Sequence, residues 1–482
     1  MDKALNSAAS KWFKSLGYDD ADLHTPMDPY ITKWWSYIQQ EGNPFYWLEE
    51  PDSQNPKQKN KIKVRSCTPA SMVCDDMAGL IYNETASISL DEVEDETTVN
   101  WLEQWLDLTM WHDRAPLAIG RMCSTGTAAW ALHVSGFTEM GKSPMLKVRP
   151  MRYDARSIIP LSWEADDCID CAFLADVYIH GKKCSQIEVH QRGDDGNYQI
   201  YCGFFDDTGK QFVPAGYLDS NTSVNTKQPY PTFSLIRLAF DNPYWDYSPM
   251  GVALFHDAID ALQTVDLAFN NMGDDLIMGR KLLALPESML AKDEYGNAQV
   301  PMLSGKRFFL GVKSNTYDDK MGVYEYNPSL RVDENREALS TALQMLGKRI
   351  GFGIKAYALD DQGGITTAKQ VAADNSEMMR AVRRHEHIIK PAIQSLLTAA
   401  CGIYRELGTA KLEDIAGQVN VVLGDSIMQD DDSLRERDRA DVAAGLLEPW
   451  KYMVRWQGYT EEEAKAVQGV NDESALDIPI EA

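Results

Sequence analysis

The second half of the chain carries a helical pattern that is too long for one ordinary compact domain and is interrupted twice. Apolar residues recur at steps of three and four from Ser248 to about Gly279, from Val332 to about Ile350, and from Thr366 to about Leu407. A strand-like insertion separates the first two stretches, and the glycine-punctuated loop 351–365 separates the second from the third. A helix of about forty residues spans roughly 60 Å. We therefore expect one extended dimension, typical of a protein that works by its position in an assembly.

Two local signals support the first and last of these helices. Ser248-Pro249 combines a cap residue with proline at the first helical position, which predicts that a helix begins there. Pro391 lies inside the last helix, where it lacks an N–H donor and clashes with the preceding turn, so a kink is predicted. The first helix carries an apolar stripe formed by Val252, Phe255, Ile259, Leu262, Val265, Phe269, Met272 and Leu276.

Composition limits the classes of function. The chain has 482 residues and 44% hydrophobic content, which predicts a globular protein with more than one lobe. Its net charge of −25 disfavours tight, sequence-independent binding to nucleic acid, because that binding depends on Lys and Arg, and it disfavours anionic membranes. Eight scattered cysteines and an N-terminus without an apolar signal core favour reduced thiols in a cytoplasm. No apolar run approaches the roughly 18 residues of a membrane helix.

The N-terminal half is predicted to be an α+β lobe over residues 60–245. The polar, proline-bearing stretch Gly42–Lys63 is predicted to be a loop, and Val99–Met122 a single helix. From Thr127 to about Tyr217 the period shifts towards two, which predicts several strands. Helices are also expected at Ala8–Leu16, Met27–Gln40 and Ala70–Tyr82, and, near the C-terminus, a strand at Val419–Leu423 followed by a charged helix and a Trp-rich helix.

Residues Gly136–Ser143 fit the GxxxxGK[ST] pattern of a phosphate-binding loop. That chemistry requires a helix beginning at the lysine, so that backbone amides face the phosphate. The following residues, Pro-Met-Leu-Lys-Val-Arg-Pro, are strand-like and too short for such a helix. A β-hairpin loop is the preferred interpretation, and a nucleotide-binding enzyme that uses Gly136–Ser143 is the alternative.

Other catalytic or metal-binding patterns are weak. Cys168 and Cys171 lack the second close cysteine pair of a zinc ribbon, so structural thiols are favoured. His385 and His387 are two residues apart on a predicted helix and face different sides. The sequence contains no GxSxG or HExxH motif and no Ser/His/Asp constellation. We therefore expect a protein that is not an enzyme and that uses no cofactor and no metal.

Three ordered passages carry a resemblance to a known family. They are SPMGVALFHDAIDALQTVDLAFNNMGDDL from Ser248, ENREALSTALQMLGKRIGFG from Glu334 with ITTAKQVAADNSEMMRAVRRHE from Ile365, and VNVVLGDSIMQDDDSLRERDRADVAAGLLEPWKYMVRWQGYTEEEAKAV from Val419. Upstream, MVCDDMAGLIYNETASISL and AIGRMCSTGTAAWALHVSG fit the same pattern. Together these passages resemble the portal protein of tailed bacteriophages, in the branch typical of siphoviruses of Gram-positive hosts, over roughly residues 25–470.

The resemblance implies an α+β portal fold, in which an elongated subunit with a long kinked helix has wing, stem, clip and crown regions. The implied regions are an N-terminal segment (1–24), wing (25–247), stem helix (248–279), clip (280–331), second stem helix (332–350), tunnel loop (351–365), long kinked wing and crown helix (366–408), and crown with C-terminal tail (409–482).

The resemblance also implies a function. Portal subunits form a ring, usually of twelve, at one capsid vertex, after assembly in the host bacterial cytoplasm. The ring nucleates head assembly with the major capsid and scaffolding proteins. It then passes double-stranded DNA without sequence specificity during packaging and ejection. Terminase and head-completion adaptor proteins dock on it, and no membrane is involved. The alternative within the same particle is another head structural protein.

Two groups of residues are expected to carry this function. The clip would face terminase and adaptor proteins, and the tunnel loop would approach DNA, with Lys355 offering transient phosphate contacts or remaining a surface lysine. The clip residues are Lys292, Asp293, Glu294, Tyr295, Asn297, Lys306 and Arg307, and the tunnel-loop residues are Lys355, Ala356, Tyr357, Leu359, Asp360, Asp361 and Gln362.

Overall fold

The computed structural model describes most of the chain, in two compact units. The described residues are 3–51, 59–137, 141–179, 181–213, 223–279, 282–286, 291–292, 298–299, 309–312, 324–326, 329–359, 376–423, 431–445, 447–457, 459, 463–465 and 467. One unit comprises Met1–Gly364 with Asp374–Leu423, and the other Ile365–Ala373 with Gly424–Ala482. None of the described helices is both long enough and apolar enough to cross a membrane.

Helices and strands alternate through the first unit, which confirms the α+β class. The helices of the chain are α1 (Lys3–Ser15), α2 (Asp28–Gln39), α3 (Pro69–Ile81), α4 (Glu96–Thr109), α5 (Trp111–Thr125), α6 (Ile259–Met278), α7 (Val332–Arg349), α8 (Ser376–Leu407), α9 (Asp431–Ala443) and α10 (Pro449–Gln457). The strands are β1 (Trp47–Pro51), β2 (Lys59–Lys63), β3 (Ser87–Leu90), β4 (Thr127–Ser135), β5 (Lys147–Asp154), β6 (Ile158–Glu164), β7 (Asp167–Ile179), β8 (Lys182–Arg192), β9 (Tyr198–Phe205), β10 (Gln211–Phe212), β11 (Ser223–Asn225), β12 (Phe233–Arg237), β13 (Leu282–Pro286), β14 (Ala291–Lys292), β15 (Ala298–Gln299), β16 (Phe309–Val312), β17 (Tyr324–Tyr326) and β18 (Val419–Val422).

The larger sheet is antiparallel, with the order β10-β9-β8-β7-β6, and β11 also pairs with β9. In β8, Ile187 and Val189 alternate with Glu188 and His190, and one face of the sheet is covered by the apolar side of α1. The small core between them contains Leu5, Ala9, Phe13, Ile159, Ala172, Ile187, Val189 and Phe205. Burial of this stripe explains why a helix of only thirteen residues is stable at this position.

The main core lies around a second antiparallel sheet, β12-β4-β5. Helix α5 packs against β4, where the Trp111 and Trp130 rings lie 5.0 Å apart. Helix α8 packs against β12 and buries Ile389, Ile393 and Leu396. The strand predicted near Val419 is confirmed, because β18 pairs antiparallel with β3 and closes this core.

Within the second unit, α9 packs against α10. Arg455 Nη1 and Trp456 Nε1 both donate to Asp438 Oδ2, at 3.0 and 2.8 Å. The predicted charged helix and Trp-rich helix are therefore confirmed.

The predicted helix start at Ser248 is wrong, because α6 begins only at Ile259. The Ser248 hydroxyl accepts from the Met250 N–H in a local turn rather than capping a helix. The Gly251 N–H donates to Thr127 Oγ1 and the Leu254 N–H to the Cys123 carbonyl, each at 2.8 Å. These bonds replace the i−4 bonds of a helix, so the apolar residues here are buried in an irregular segment.

Two further predictions in the N-terminal half are wrong. Val99–Met122 is not one helix, because Met110 takes a left-handed conformation (φ 50°) between α4 and α5. The break brings the Trp105 and Trp111 rings within 6.0 Å in one core, although six residues on a straight helix place side chains on different faces. Gly42–Lys63 is not a simple loop either, because β1 and β2 form an antiparallel pair within it.

A buried histidine joins α8 to the chain after β12. His385 Nδ1 accepts from the Ala239 N–H at 3.0 Å, and its ring lies 5.2 Å from that of Phe240. Burial, with a smaller contribution from the neighbouring Arg384, lowers the pKa of His385 to about 4. In the folded state His385 therefore carries a neutral imidazole.

The lowered pKa of His385 predicts that the protein loses stability in acid. Between pH 6.5 and about 4 the unfolded chain takes up a proton at His385 that the folded chain does not, so the free energy of unfolding falls by up to about 3 kcal/mol. His385→Gln should remove this part of the pH dependence, measured as denaturant unfolding at pH 7, 5.5 and 4.5. His387→Gln, at an exposed position on the same helix, is the control. An unchanged slope in His385→Gln would contradict the assignment.

Candidate functional site at the paired helices and the following loop

Helices α6 and α7 pack against each other, with the end of α6 beside the start of α7. Near the end of α6, Asp275 Oδ1 lies 2.6 Å from Arg331 Nη2, and Asp275 Oδ2 accepts from Asn335 Nδ2 at 2.8 Å. The hydrogen bond from Arg331 and that from Asn335 hold the pKa of Asp275 below its usual range. One carboxylate thus joins the end of α6 to the start of α7, across the strand insertion.

The other half of α6 is held in the body of the first unit. Asp266 is fully buried, and its carboxylate accepts from Tyr46 Oη at 2.8 Å, Ser66 Oγ at 2.7 Å and the Cys67 N–H at 3.1 Å. Further along the helix, Arg65 Nη1 lies 2.6 Å from Asp274 Oδ1. The segment around β2 therefore fixes the direction in which α6 leaves the core.

The apolar stripe of α6 loses its cover along the helix. Leu262 and Val265 are fully buried, whereas Leu276 is 52% and Ile277 45% exposed. On α7, Met345 is 56% exposed. A groove of about 600 Å³ runs between the two helices, lined by Asp260, Ala261, Thr264, Glu334, Glu337, Ala338, Thr341, Ala342, Met345 and Arg349. This mixed apolar and charged surface is left uncovered by the described residues of its own chain.

The loop after α7 folds back over the end of the helix. The N–H groups of Phe352 and Gly353 both donate to the Gly347 carbonyl, at 2.9 and 3.1 Å. A Cβ atom at Gly347 would lie 2.7 Å from the Gly353 carbonyl oxygen, so the fold-back requires glycine at position 347. Lys348 Nζ and Glu377 Oε1, 3.1 Å apart, join this end of α7 to α8.

Two bonds tether the rest of the loop. Tyr357 Oη donates to Asp76 Oδ2 on α3 at 2.5 Å, and Arg336 Nη2 on α7 donates to the Leu359 carbonyl at 3.0 Å. Burial and then the Asp76 carboxylate raise the pKa of Tyr357. Residues 351–359 are therefore an ordered segment held by α3 and α7.

The structure places four of the predicted tunnel-loop residues. Lys355, Ala356 and Leu359 are exposed, whereas Tyr357 is half-buried and bonded to Asp76, a partner that the sequence pattern did not reveal. The nearness of all four to DNA stays a prediction. Asp360, Asp361 and Gln362 lie outside the described residues, as do Asp293, Glu294, Tyr295, Asn297, Lys306 and Arg307 of the predicted clip. Lys292 lies in the short strand β14.

Helix α8 runs without interruption through Pro391. The predicted kink at this residue stays a prediction. The helix extends over Ser376–Leu407, and its predicted first turns, from Thr366, lie outside the described residues.

The phosphate-loop alternative lacks its required helix. The residues after Ser143 lead into β5, which pairs antiparallel with β4, so the pattern lies in a β-hairpin connection. Lys142 Nζ donates to the Arg405 carbonyl at 2.6 Å, and Ser143 Oγ donates to the Gly136 carbonyl at 2.6 Å. Across the described residues, no three His, Cys, Asp or Glu side chains are grouped so as to hold a metal ion.

Comparison with known proteins gives similarities to solved structures alone, and two of them are described here. No protein-family model matches the sequence, and no curated protein matches it significantly. The chain is similar to a chain in the neck of an empty GTA particle computed with C6 symmetry, with 11% identity and a TM-score of 0.39, over 88% of this chain and 92% of that chain. It is also similar to a chain in the neck of a native GTA particle computed with C12 symmetry, with 12% identity and a TM-score of 0.37, over 80% and 89%. Neither similarity is strong enough to establish a shared fold.

The fold-back of the loop predicts a position-specific effect of alanine. Gly347→Ala should destabilise the first unit by about 1–3 kcal/mol, because its Cβ forces the Gly353 carbonyl to move. It should also increase protease cleavage within 351–359. Gly79→Ala on α3 is the matched control, since its Cβ meets nothing within 4 Å and alanine stabilises a helix by roughly 0.5–1 kcal/mol. Equal effects of the two substitutions on thermal unfolding and cleavage would contradict the fold-back.

Proposed function

We propose that this chain is the portal subunit of a tailed bacteriophage. In this proposal α6 and α7 are the stem, residues 280–331 the clip, residues 351–365 the tunnel loop, and residues 409–482 the crown with the C-terminal tail. The observation that carries the proposal is the uncovered apolar end of the α6–α7 pair, in which Leu276 and Ile277 are about half exposed. The ordered sequence passages that resemble portal proteins support the same assignment of regions.

Half-exposed apolar residues at the end of a helix pair need a neighbour. Single exposed apolar residues are ordinary, but a contiguous patch marks an interaction surface. In a ring, the α6–α7 pair of each subunit would pack against those of the two adjacent subunits. Heterologous contacts of this kind close into a ring when the rotation between subunits permits. The groove beside Met345 would then receive side chains of the next subunit.

The charge of the chain suits a passage for DNA. Duplex DNA is a dense polyanion, and proteins that hold it tightly do so with Lys and Arg. A net charge of −25 favours a channel through which DNA slides in both directions without sequence specificity. In the proposed ring the loop that carries Lys355, Ala356 and Leu359 lines the narrowest part of the channel.

The remaining roles follow from this position. The clip residues, including Lys292, would meet terminase during packaging and head-completion proteins afterwards. The ring would nucleate head assembly together with the capsid and scaffolding proteins in the host cytoplasm. It would remain in the virion at one capsid vertex, as the point where DNA leaves at infection. None of these steps requires catalysis by this chain.

Ring formation is the direct test of the proposal. Purified protein should give particles of several hundred kilodaltons with a central hole, because subunits of 54.2 kDa associate in a closed ring. Mass photometry and electron microscopy measure both properties. Leu276→Glu with Ile277→Glu should abolish the rings without unfolding the subunit, since both side chains are exposed. Tyr178→Glu, at a side chain that is 74% exposed on β7, is the control. A strict monomer under all conditions would contradict the proposal.

The loop can be tested separately from the ring. Deletion of Ala356–Gln362 should impair DNA packaging or retention in a phage complementation assay while rings still form. Packaged DNA per particle and ring yield by electron microscopy are the two measurements. If the deletion abolishes rings as well, the loop acts in folding or assembly rather than on DNA.

A further inference from the structure

A pocket on the first unit is lined by two arginines that form no ion pair with any described residue. It lies between α2, α3, α5 and β5 and has a volume of about 500 Å³. Its walls combine apolar side chains with two arginines, and the residues that matter here are Trp35, Pro116, Leu117, Arg121 and Arg152. Leu117 is 55% exposed at its edge. None of its lining residues belongs to the α6–α7 groove or to the loop 351–359.

Arg121 of the pocket and the neighbouring Arg156 both contact the ring of Trp35. The guanidinium carbons of Arg121 and Arg156 lie 4.6 and 3.8 Å from the centre of the Trp35 ring. Arg156 is already paired, because its Nε and Nη2 donate to Asp154 at 3.0 and 2.7 Å. Among the described residues, neither Arg121 nor Arg152 has an ion-pair partner. The two guanidinium groups are therefore available to an acidic ligand.

Two further observations indicate that the pocket suits an anion. Burial and then the charge of Arg121 lower the pKa of Arg152, and the nearby Asp154 carboxylate opposes this shift only in part. The indole N–H of Trp35 is buried and has no hydrogen-bond acceptor among the described residues. The one carboxylate that lines the pocket is Asp75, and it forms no ion pair with a described residue. A bound anion would give the arginines a partner.

The same chain carries a matching acidic segment. In Asp91–Glu96, with the sequence DEVEDE, five of six residues are acidic. Asp91, Glu92, Glu94 and Glu96 are exposed, and within the described part of the chain none of them is ion-paired. The segment is held in place, because the Asp91 N–H donates to the Gln418 carbonyl at 2.8 Å and Asp95 Oδ2 accepts from the Thr98 N–H at 3.0 Å. Val93, in its middle, is half-buried.

We propose that the pocket of Arg121 and Arg152 in one subunit binds the acidic segment Asp91–Glu96 of a second copy of this chain. Both partners are present on every subunit, and the described residues show no pairing between them, so the contact joins two different surfaces and repeats from copy to copy. Carboxylates suit paired arginines, which bind them with two parallel N–H···O bonds. The apolar edge at Pro116 and Leu117 adds contact area beside Val93. A peptide segment fits a concave, partly apolar pocket better than a duplex backbone does.

Charge reversal tests this contact in the full-length protein. Arg121→Glu with Arg152→Glu reverses the pocket, and Glu92→Lys with Glu94→Lys reverses the segment. Each variant alone should self-associate at least about tenfold more weakly than wild type in sedimentation, because like charges then face each other. A one-to-one mixture of the two variants should recover assembly, since each reversed surface meets a complementary one. Lys210→Glu with Lys227→Glu, at exposed positions, changes the net charge by the same amount as the reversed pocket and is the control.

A second measurement tests whether the pocket binds the acidic segment, independently of subunit assembly. The acetylated hexapeptide DEVEDE, titrated into the full-length protein by calorimetry, should bind to wild type more weakly as salt increases. Binding should fall at least about tenfold in Arg121→Ala with Arg152→Ala. Failure of the peptide to bind, or equal binding to the alanine variant, would overturn the inference.

The two proposals fail in different ways. The contact between pocket and acidic segment rests on the proposed function in one respect, which is that the repeated contact closes into a ring. If wild type forms rings and the charge-reversed variants form them equally well, the inference is overturned and the portal proposal stands. If wild type stays monomeric, the portal proposal is contradicted, and the peptide titration still decides whether the pocket binds the segment.

Discussion

The structure of the first unit depends on a buried carboxylate in α6. Asp266 is fully buried and accepts hydrogen bonds from Tyr46, Ser66 and Cys67, residues about two hundred positions away in sequence. Burial raises the pKa of Asp266 although these donors favour its charged form. Removing the carboxylate would leave three donors without this acceptor, and for the buried Tyr46 hydroxyl the cost is about 1–3 kcal/mol. This cluster fixes where α6 leaves the core, and α7 follows because Asp275 holds its first turn.

The anchor explains why one end of the helix pair is uncovered. Up to Asp266 the apolar residues of α6 face the core, and beyond it the helix continues while the core does not. Three apolar residues that follow, Leu267, Leu276 and Ile277, are about half exposed. Exposed apolar surface lowers solubility and adds nothing to the stability of the subunit. We therefore infer that this end of the helix contacts a partner. In the proposed ring, one end of α6 packs in the core of its own subunit and the other end contacts neighbouring subunits.

Sequence periodicity predicted the parts of the fold that depend on local chemistry. The extent of α7, the strand near Val419 and the hairpin nature of Gly136–Ser143 followed from spacing alone. The start of α6 did not, because Ser248-Pro249 is a valid cap signal that tertiary bonds to Thr127 and Cys123 overrode. Likewise, the loop 351–359 was predicted from its glycines, whereas its tether to Asp76 joins residues 281 positions apart. No local pattern encodes such a pair.

The positions of the charged residues constrain the assembly of the subunit more strongly than its net charge does. A chain with 72 acidic and 47 basic residues repels its own copies at long range, so assembly requires local contacts that overcome this repulsion. Screening limits the repulsion to about 8 Å at physiological salt, whereas pairs in a partly buried pocket are screened less. Apolar contact along α6 lowers the free energy of association without selecting an orientation. In the proposed contact the pocket arginines Arg121 and Arg152 supply that selection, because a misplaced neighbour would leave them unpaired. A strongly acidic subunit can thus remain soluble alone and still associate in one geometry.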